Sequence, residues 1–445
     1  MKKYFGTDGV RGIAGKDLTA DLAFEIGKAA GSFFINTKGV GTVTIGKDPR
    51  ASSGMIEIAV AAGLCSVGMD VNLLGIVPTP LVSFAVLNEG LVGGVMISAS
   101  HNQYEYNGIK VFDATGMKLC KKQEQKIEEI MANSLNMCVR KPGTVFCNRA
   151  VKAGYLAKMK ELVDGIEYKK KPLKVAVDCA NGSASETANE IFRDFGSLQV
   201  IYGEPNGRNI NCECGSTNVR NLVEFVKKNN CDIGFAFDGD ADRCFAVNRN
   251  GKVLDGDNIL WIVAKHAACN GELQGSKVVV TKMSNMGLFK AMEAKGINVI
   301  KTDVGDKCVL EAMLQNNCNL GAENSGHLIY LDYSKTGDGQ LTACLFLKAI
   351  LELGIDFNEL GNEFEKYQQI NGNVMLHNKK NVLSDDFFQN EIEKCENELG
   401  EFGRIIVRES GTEPVIRILV EGEDGVMAKD ILERLVRITE ELDEA

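Results

Sequence analysis

The sequence predicts an α/β protein, because short apolar strands alternate with amphipathic helices in three successive blocks. Each block contains a strand, a helix and a second strand, a pattern typical of mixed or parallel sheets covered by helices. The segments are 42–45, 50–67 and 70–74 in the first block, 174–178, 185–195 and 233–237 in the second, and 277–281, 286–295 and 298–301 in the third.

The last part of the chain has a different order of elements. A polar helix at 385–398 precedes strands at 404–407 and 415–420, and a final helix follows at 427–442. This order predicts an α+β domain. The chain has 445 residues, which is too many for one core and indicates about three domains or more.

The composition excludes several classes of protein. Sixty acidic residues against 50 basic ones argue against a nucleic-acid surface. The chain contains no apolar run near the roughly 20 residues that a membrane span requires. Its 14 cysteines lack paired CxxC knuckles and no signal peptide begins the chain. We therefore expect reduced thiols, a cytoplasmic location, and no nucleic-acid or membrane partner.

Three aspartates lie within five residues, at Asp238, Asp240 and Asp242. Their mutual repulsion costs stability unless a cation or strong donors neutralise them. The apolar runs 233–237 and 244–247 on either side predict two strands with the acids in the loop between them. An EF-hand is excluded, since arginines stand where its loop needs glycine and glutamate. Oxygen ligands in a compact loop favour Mg²⁺ instead.

A serine-rich turn follows the apolar strand at 93–97 and contains Ser100 next to His101. The turn lacks both glycines of a hydrolase nucleophile elbow, and sequence neighbours rarely act as nucleophile and base. Considered alone, it is most often a simple turn or a helix N-cap. Together with the acidic loop, it indicates a serine that carries a phosphoryl group next to a metal ion.

Two further loops carry polar groups suited to a phosphorylated sugar. Residues 408–417 combine two arginines with hydroxyl groups and a glycine, which favours a phosphate dianion. Residues 321–327 present Glu323, Ser325 and His327 on a loop before an apolar strand, where they suit sugar hydroxyl groups. Alone, the second loop is a weak signal, because polar glycine-rich loops are normally only connections.

With these segments, the sequence resembles the α-D-phosphohexomutase superfamily, and most closely its phosphoglucosamine mutase branch. The resemblance covers essentially the whole chain. The branch is indicated by 3–12, 283–288 and 304–307. In chain order the matching segments are 3–12, 100–110, 206–211 with 214–217, 238–243, 253–257, 283–288, 304–307, 336–339 and 408–417.

The resemblance implies three α/β domains with mixed sheets and a C-terminal α+β domain around a central cleft. We expect them at 1–149, 150–249, 250–366 and 367–445. It also implies an isomerase that interconverts glucosamine 6-phosphate and glucosamine 1-phosphate, in amino-sugar nucleotide and cell-wall precursor synthesis. Phosphorylated Ser100 would phosphorylate the sugar, and the bound 1,6-bisphosphate would turn round and phosphorylate the serine again.

The resemblance further implies roles for the candidate residues. Ser100 and the three aspartates would bind one Mg²⁺ per chain, and phosphorylation of Ser100 would be needed for activity. Arg11, Lys110 and His327 become candidates for proton handling and oxygen stabilisation, and Lys110 would need a lowered pKa to act as a base. His101 is expected to shape the loop first and to assist catalysis second. Binding of the phosphosugar partner is assigned to Arg243, Glu323, Ser325, Arg408, Ser410, Gly411, Thr412 and Arg417.

Five positions depart from the family pattern. Gln103 replaces a usual proline and Tyr106 a frequent aspartate, Ala241 and Ala322 replace glycines, and Glu409 adds an acid to the phosphate loop. Two alternatives therefore stay open, namely the same reaction on mannose or glucose phosphate, and a catalytically weak relative that binds phosphosugar. The protein is expected to be a monomer or a homodimer.

Overall fold

The computed structural model describes most of the chain as two compact units. The first unit comprises Met1–Met283 with Gly296–Glu363, and the second comprises Ser284–Lys295 with Phe364–Ala445. The described ranges are 3–133, 141–164, 172–376, 382–409 and 415–444.

The first unit begins with a six-stranded mixed sheet in the order β1-β5-β4-β2-β3-β6. Strands β2, β3 and β4 are parallel, whereas β5 runs antiparallel to both β1 and β4. The strands are β1 Val10–Ile13, β2 Thr42–Lys47, β3 Asp70–Ile76, β4 Gly93–Ile97, β5 Tyr106–Asp113 and β6 Val145–Phe146. The helices are α1 Ala20–Lys38, α2 Ser53–Ser66, α3 Thr79–Asn88 and α4 Lys121–Ala132.

A second mixed sheet has the strand order β11-β10-β9-β7-β8. Parallel strands β7, β8 and β9 are followed by the antiparallel pair β9 and β10, so the acidic loop connects two neighbouring strands as predicted. The strands are β7 Leu173–Asp178, β8 Gly196–Ile201, β9 Ile233–Phe237, β10 Cys244–Asn248 and β11 Val253–Leu254. The helices are α5 Val151–Val163, α6 Ala188–Phe192 and α7 Arg220–Asn229.

The third sheet has the order β13-β12-β14-β15 and is also mixed. Its strands are β12 Lys277–Thr281, β13 Asn298–Thr302, β14 Leu320–Ala322 and β15 Leu328–Tyr330. Three helices of the same unit accompany it, α8 Gly256–Cys269, α10 Asp306–Gln315 and α11 Gly339–Leu353. The intervening helix α9, Met286–Ala294, belongs to the second unit.

The second unit contains an antiparallel sheet in the order β16-β18-β17 with α9 and two further helices. Its strands are β16 Gln368–Met375, β17 Gly403–Glu409 and β18 Val415–Gly422, and its helices are α12 Asp386–Leu399 and α13 Gly425–Glu444. The start of α9 is fixed here, because Glu421 accepts from the Met286 N–H (2.7 Å) and Asn285 exchanges two hydrogen bonds with Tyr367.

Most predicted elements match the observed ones, and the differences are local. The helix expected at 185–195 is shorter, because α6 ends at Phe192 between two 3-10 turns at Ser183–Glu186 and Arg193–Phe195. Strand β16 was not predicted, since its alternating glutamines and asparagines give little apolar signal. Among the helices described, none is both long and apolar enough to cross a membrane. Each cysteine in the described ranges is a free thiol.

Helices α1 and α2 pack with their backbones in close approach. A Cβ atom on Gly63 would lie 2.2 Å from the Phe24 carbonyl oxygen, and one on Gly27 would lie 2.3 Å from the Val60 carbonyl oxygen. Because both obstacles are backbone atoms, neither can move aside as a side chain does. Glycine is therefore required where these helices cross.

Gly63→Ala should lower the melting temperature, since overpacking a core costs about 1–3 kcal/mol. Gly54→Ala in the same helix is the matched control, because its Cβ would meet only the Lys47 Nζ atom at 4.0 Å. Alanine is the better helix former by about 0.8–1.0 kcal/mol, so Gly54→Ala should keep or raise the melting temperature. Equal melting temperatures for the two variants would contradict this account of the crossing.

Candidate active site

Ser100 is buried on the turn that follows β4 and has a left-handed backbone conformation. Its φ is 52° and its exposed fraction is 1%. The Ser100 carbonyl oxygen accepts from Arg50 Nη2 (2.9 Å) and from Asn211 Nδ2 (2.8 Å). A strained serine persists only when the surroundings over-determine its conformation, and these two donors supply that constraint.

Arg50 links the two ends of the serine loop. It donates to the Gln103 carbonyl oxygen, and its Nε lies 2.9 Å from Asp48 Oδ2 in an ion pair with both side chains fully buried. Gln103 also donates from Nε2 to the Asn211 carbonyl oxygen at 3.3 Å. Sequence reasoning missed Arg50, because its partners are backbone atoms far along the chain.

The acidic loop brings its three carboxylates to one point next to the serine. One oxygen from each of Asp238, Asp240 and Asp242 lies within 4.8 Å of the others, and all three residues are buried. Ser100 Oγ donates to Asp238 Oδ2 at 2.6 Å. The structure therefore brings together the serine and the three aspartates that the sequence selected.

The carboxylates have the properties of ligands for a divalent cation. Within the described residues, Asp240 Oδ1 and Asp242 Oδ1 are buried without a hydrogen-bond donor. Burial, with repulsion from Asp242 and Asp240, raises the pKa of Asp238. Oxygen atoms of this kind favour a hard cation, which would satisfy the orphaned atoms and relieve the repulsion. The residues present fit such an ion.

Lys110, on β5, is fully surrounded by acidic groups. Its Nζ lies 2.7 Å from Asp240, 2.9 Å from Asp8 and 3.3 Å from Asp242. Burial opposes the charge of Lys110, but attraction to these three carboxylates outweighs it and raises the pKa of Lys110, which is opposite to the shift that a general base would need. Lys110 is therefore an ammonium ion that balances the acidic loop, and it does not meet the condition for a general base.

Asp8 and Lys118 complete this cluster, although sequence reasoning assigned neither to the site. Asp8 pairs with Arg11 (2.5 Å) and with both lysines, and Lys118 lies 2.9 Å from Asp8 and 3.6 Å from Asp242. Burial acts against the Asp8 carboxylate, but the cations prevail and lower its pKa well below the usual value. Arg11 also donates to Asn102 Oδ1 (3.3 Å) of the serine loop.

His101 lies next to Ser100 as a neutral imidazole at neutral pH. Burial, followed by the positive charges of Arg243 and Arg11, lowers the pKa of His101 to about 4. Its Nδ1 is 3.5 Å from Ser100 Oγ. A neutral ring nitrogen at this distance is able to accept a proton from a group that enters beside the serine.

The sugar-loop candidates Glu323 and His327 lie on the other side of the acidic loop. His327 Nε2 is 3.8 Å from Asp242 and 3.9 Å from Asp306, and both ring nitrogens lack a hydrogen bond from the described residues. Glu323 is buried and accepts at Oε1 from the Gly305 N–H at 3.1 Å. Ser325 Oγ is likewise buried without a hydrogen bond within the described ranges.

Arg243 directly follows the acidic loop and contributes a fixed positive charge. Its backbone N–H donates to Asp238 Oδ1 (3.2 Å) and its Nε lies 3.9 Å from Asp242. Burial works against the guanidinium, but Asp238, Asp242 and Glu323 together raise the pKa of Arg243.

The two alanines that replace glycines have different consequences. Ala241 has φ 57°, so the loop adopts here a conformation that glycine adopts without strain. Ala322 is buried in β14 opposite Leu328, in a strand position that requires no glycine conformation. Tyr106 opens β5 opposite Ile13, so it is a strand residue rather than part of the serine turn.

In the second unit, Arg408 and Arg417 face each other across β17 and β18. Burial, and then the charge of Arg417, lowers the pKa of Arg408. Glu409 is opposite Ile416, and side chains alternate along a strand, so Glu409 lies on the opposite face from the arginines. The strand register therefore separates the Glu409 carboxylate from the two arginines. Ser410, Gly411 and Thr412 lie outside the described residues.

Four protein-family models match the chain in sequence order. They are the phosphoglucomutase/phosphomannomutase α/β/α domains I, II and III at residues 2–136, 153–251 and 255–367, and the C-terminal domain of the same family at 365–438. The chain belongs to the phosphoglucomutase/phosphomannomutase family. The matches confirm the predicted organisation of three α/β domains and a distinct C-terminal domain, while our exact boundaries stay predictions.

Curated relatives of this family member are similar over its whole length. The phosphoglucosamine mutase of Caldicellulosiruptor saccharolyticus is 44% identical over 99% of both chains. The phosphoglucosamine mutase of Clostridium acetobutylicum is 44% identical over 95% of this chain and 96% of its own. The predicted membership of the phosphohexomutase superfamily is thus confirmed.

Solved structures agree with this fold at low sequence identity. A phosphoglucomutase/phosphomannomutase family protein from Burkholderia thailandensis matches with a TM-score of 0.80 at 24% identity, over 98% of this chain and 97% of its own. The Aspergillus fumigatus N-acetylphosphoglucosamine mutase, solved with GlcNAc-6P and magnesium, matches with a TM-score of 0.67 at 17% identity, over 99% and 96% of the two chains.

The strain at Ser100 gives a prediction about stability. Ser100→Gly should melt at a higher temperature than Ser100→Ala, because a left-handed residue with a Cβ costs about 1 kcal/mol. Both variants lack the hydroxyl group, so the comparison isolates the backbone. Thermal unfolding of the two proteins side by side is the measurement, and a lower melting temperature for Ser100→Gly would show that the turn is not strained.

The acidic loop gives a prediction about metal binding. Mg²⁺ should raise the melting temperature of this family member, and Asp242→Asn should abolish most of that increase. Asp178→Asn is the matched control, because Asp178 is equally buried but accepts only the N–H groups of Ala180 and Gly215, both at 2.8 Å. Loss of the Mg²⁺ response in the control would contradict the assignment of the site.

Proposed function

We propose that this protein is a phosphoglucosamine mutase that interconverts glucosamine 6-phosphate and glucosamine 1-phosphate. The observation that carries the proposal is the Ser100 hydroxyl group, 2.6 Å from Asp238 of a buried acidic loop, in a chain that belongs to this mutase family. Curated relatives of that name at 41–44% identity support the choice of glucosamine over other hexoses.

The ion at the acidic loop is proposed to be Mg²⁺, bound by Asp238, Asp240, Asp242 and Ser100. Oxygen-only ligands in a compact loop are the set that Mg²⁺ prefers. When bound, Mg²⁺ offsets the negative charge of a phosphoryl group and makes its transfer easier. Thr79 keeps Asp240 in place, since its hydroxyl group donates to Asp240 Oδ2 at 2.5 Å.

Ser100 is proposed to carry the phosphoryl group between turnovers. In the forward step, the bond between phosphorus and Ser100 Oγ breaks while a bond to a sugar hydroxyl oxygen forms, which leaves a sugar 1,6-bisphosphate. The other phosphoryl group then returns to Ser100 Oγ after the sugar turns round. The burial of Ser100 limits access of water that would hydrolyse the phosphoserine.

The surrounding cations are proposed to stabilise the transferred group. Phosphoryl transfer depends mainly on positioning and on charge stabilisation. Arg243 and Arg11 lie close enough to His101 to lower its pKa, so their charges also act at the serine. Lys110 keeps its ammonium charge among the carboxylates, which prevents the loop from repelling an incoming phosphate.

The sugar hydroxyl group loses its proton as the phosphoryl group arrives. His101 is proposed to accept this proton at Nδ1, because the ring is neutral and lies 3.5 Å from Ser100 Oγ. A loose transition state requires little assistance from a base, so a weakly basic imidazole is sufficient. His327 is the second candidate, since its ring nitrogens lack hydrogen bonds from the described residues.

Recognition of the sugar and of the distant phosphate is assigned to two further groups. Glu323 and Ser325 are proposed to bind sugar hydroxyl groups, which agrees with their burial and with the orphaned Ser325 hydroxyl. Arg408 and Arg417 are proposed to bind the phosphate that does not react, because they are paired across β17 and β18 and guanidinium groups bind phosphate oxygens well. We also propose a cytoplasmic location and a role in supplying amino-sugar precursors of the cell wall.

A substrate comparison tests the function. Phosphorylated protein with Mg²⁺ should convert glucosamine 6-phosphate to the 1-phosphate faster than mannose or glucose 6-phosphate. The measurement is the rate of 1-phosphate formation with each sugar at equal concentration. Equal or faster turnover of mannose or glucose 6-phosphate would replace the glucosamine assignment, and no turnover of any sugar would favour a phosphosugar-binding protein.

A serine variant tests the mechanism separately from the substrate. Ser100→Ala should lose turnover by at least about 10³-fold, because the phosphoryl carrier is removed. Ser98→Ala is the control in the same loop, since the Ser98 hydroxyl only accepts the Ser100 N–H at 2.9 Å. Ser98→Ala should keep measurable turnover, whereas full activity in Ser100→Ala would overturn the mechanism.

A further inference from the structure

Lys118 is a buried cation shared by carboxylates from three separate segments. Its Nζ lies 2.5 Å from Asp306, 2.9 Å from Asp8 and 3.6 Å from Asp242. These acids belong to the start of α10, to the N-terminal segment and to the acidic loop. The lysine side chain is 5% exposed, so water contributes little to its solvation and the carboxylates must do so.

Asp306 connects this cation to the sugar loop through its neighbour in sequence. The Gly305 N–H donates to Glu323 Oε1 at 3.1 Å, and Gly305 has φ 127°, a conformation that favours glycine. The residue that precedes Asp306 therefore carries the N–H that orients Glu323. A continuous path of contacts runs from Asp242 through Lys118, Asp306 and Gly305 to Glu323.

The other side of the same segment is also fixed by an ion pair. Lys307 pairs with Glu124 of α4, and both side chains are buried. The two ion pairs have opposite polarity. In the first, Lys118 supplies the cation and Asp306 the anion, whereas in the second, Glu124 supplies the anion and Lys307 the cation. Segment 305–307 is thus held in place from both sides and has little freedom to shift relative to the acidic loop.

We propose that Lys118 and Asp306 form a positioning pair that sets the Glu323 carboxylate at a fixed place relative to the acidic loop. The inference rests on the proposed function, because it assumes that Glu323 binds the sugar. Neither residue of the pair needs to touch the substrate. Glu323 would hold the sugar while the reacting oxygen of the sugar must reach the phosphoryl group on Ser100. A displaced Glu323 would therefore misalign that oxygen for phosphoryl transfer.

The alternative is that the pair only stabilises the fold. A buried ion pair is a poor means of stabilisation, because removing the charges from water offsets most of the attraction. The two alternatives differ in what they predict for the sugar and for the metal. Loosening of the fold should weaken the binding of both ligands. Loss of the Lys118 charge should instead weaken the binding of the sugar and leave the binding of Mg²⁺ equal or stronger.

Lys118→Met should weaken sugar binding and leave Mg²⁺ binding equal or stronger. The loss of orientation at Glu323 should raise the Kd of glucosamine 6-phosphate about tenfold, equivalent to about 1.4 kcal/mol. Removal of a positive charge 3.6 Å from Asp242 should keep or lower the Mg²⁺ concentration at half-maximal thermal stabilisation. Calorimetry with unphosphorylated, Mg²⁺-loaded protein gives the first value and melting curves give the second.

Asp306→Asn breaks the same pair from the other end. It should weaken glucosamine 6-phosphate binding to a similar extent. It should also raise the Mg²⁺ midpoint, because the positive charge of Lys118 near Asp242 is then no longer balanced by the Asp306 carboxylate. The double variant should weaken sugar binding no more than either single variant, since both changes remove one interaction. Lys118→Arg retains the charge and should recover most of the sugar binding.

Lys47→Met is the matched control, because Lys47 also forms an ion pair at 2.5 Å, with Glu57, and is not assigned to the site. It should lower the melting temperature without changing the sugar Kd or the Mg²⁺ midpoint. The proposal would be overturned if Lys118→Met had the wild-type Kd for the sugar, or if the variant bound both the sugar and Mg²⁺ more weakly than wild type. Failure of the proposed function is distinguishable, because wild-type protein would then neither bind nor convert the sugar.

Discussion

Repulsion among three buried carboxylates is the constraint on which the rest of the site depends. Asp238, Asp240 and Asp242 cannot remain charged in a medium of low dielectric constant without cations close by. Lys110 provides the nearest positive charge from β5, and Lys118 provides a second one from the chain that follows. Two sheets and the N-terminal segment must therefore meet at this loop. The charge balance of the acidic loop and the fold of the first unit therefore depend on each other.

A second unfavourable feature lies directly next to the first. Ser100 has a left-handed backbone and is fixed by side chains that approach from other segments, Arg50 and Asn211. Strain and charge repulsion at neighbouring residues reduce stability, so the surrounding sheets must supply the difference. Their strands are almost fully buried, as the five residues of β4 and of β9 show. A rigid scaffold of this kind keeps Ser100 Oγ aimed at Asp238 without help from a ligand.

The sequence was sufficient to select Ser100, the acidic loop and Glu323 as candidates, because each lies in a compact motif next to an apolar strand. It was insufficient for Asp8, Lys118 and Asp306, which are single charges whose meaning appears only when segments 100 to 300 residues apart come together. The raised pKa of Lys110 has the same origin, since it depends on Asp8 as well as on the acidic loop. The assignment of α9 to the third block also needed long-range contacts, because local periodicity does not reveal which sheet a helix accompanies.

Helix α9 lies between two strands of the third sheet in sequence but packs with the last part of the chain. Its first turn is fixed by Tyr367 and Glu421, which a ribosome adds only after every strand of that sheet has been made. During synthesis every strand of the third sheet is therefore made before the residues that fix the start of α9. A chain that stops before Tyr367 would thus lose more than a terminal domain, since a helix in its middle would lose the hydrogen bonds that fix its first turn.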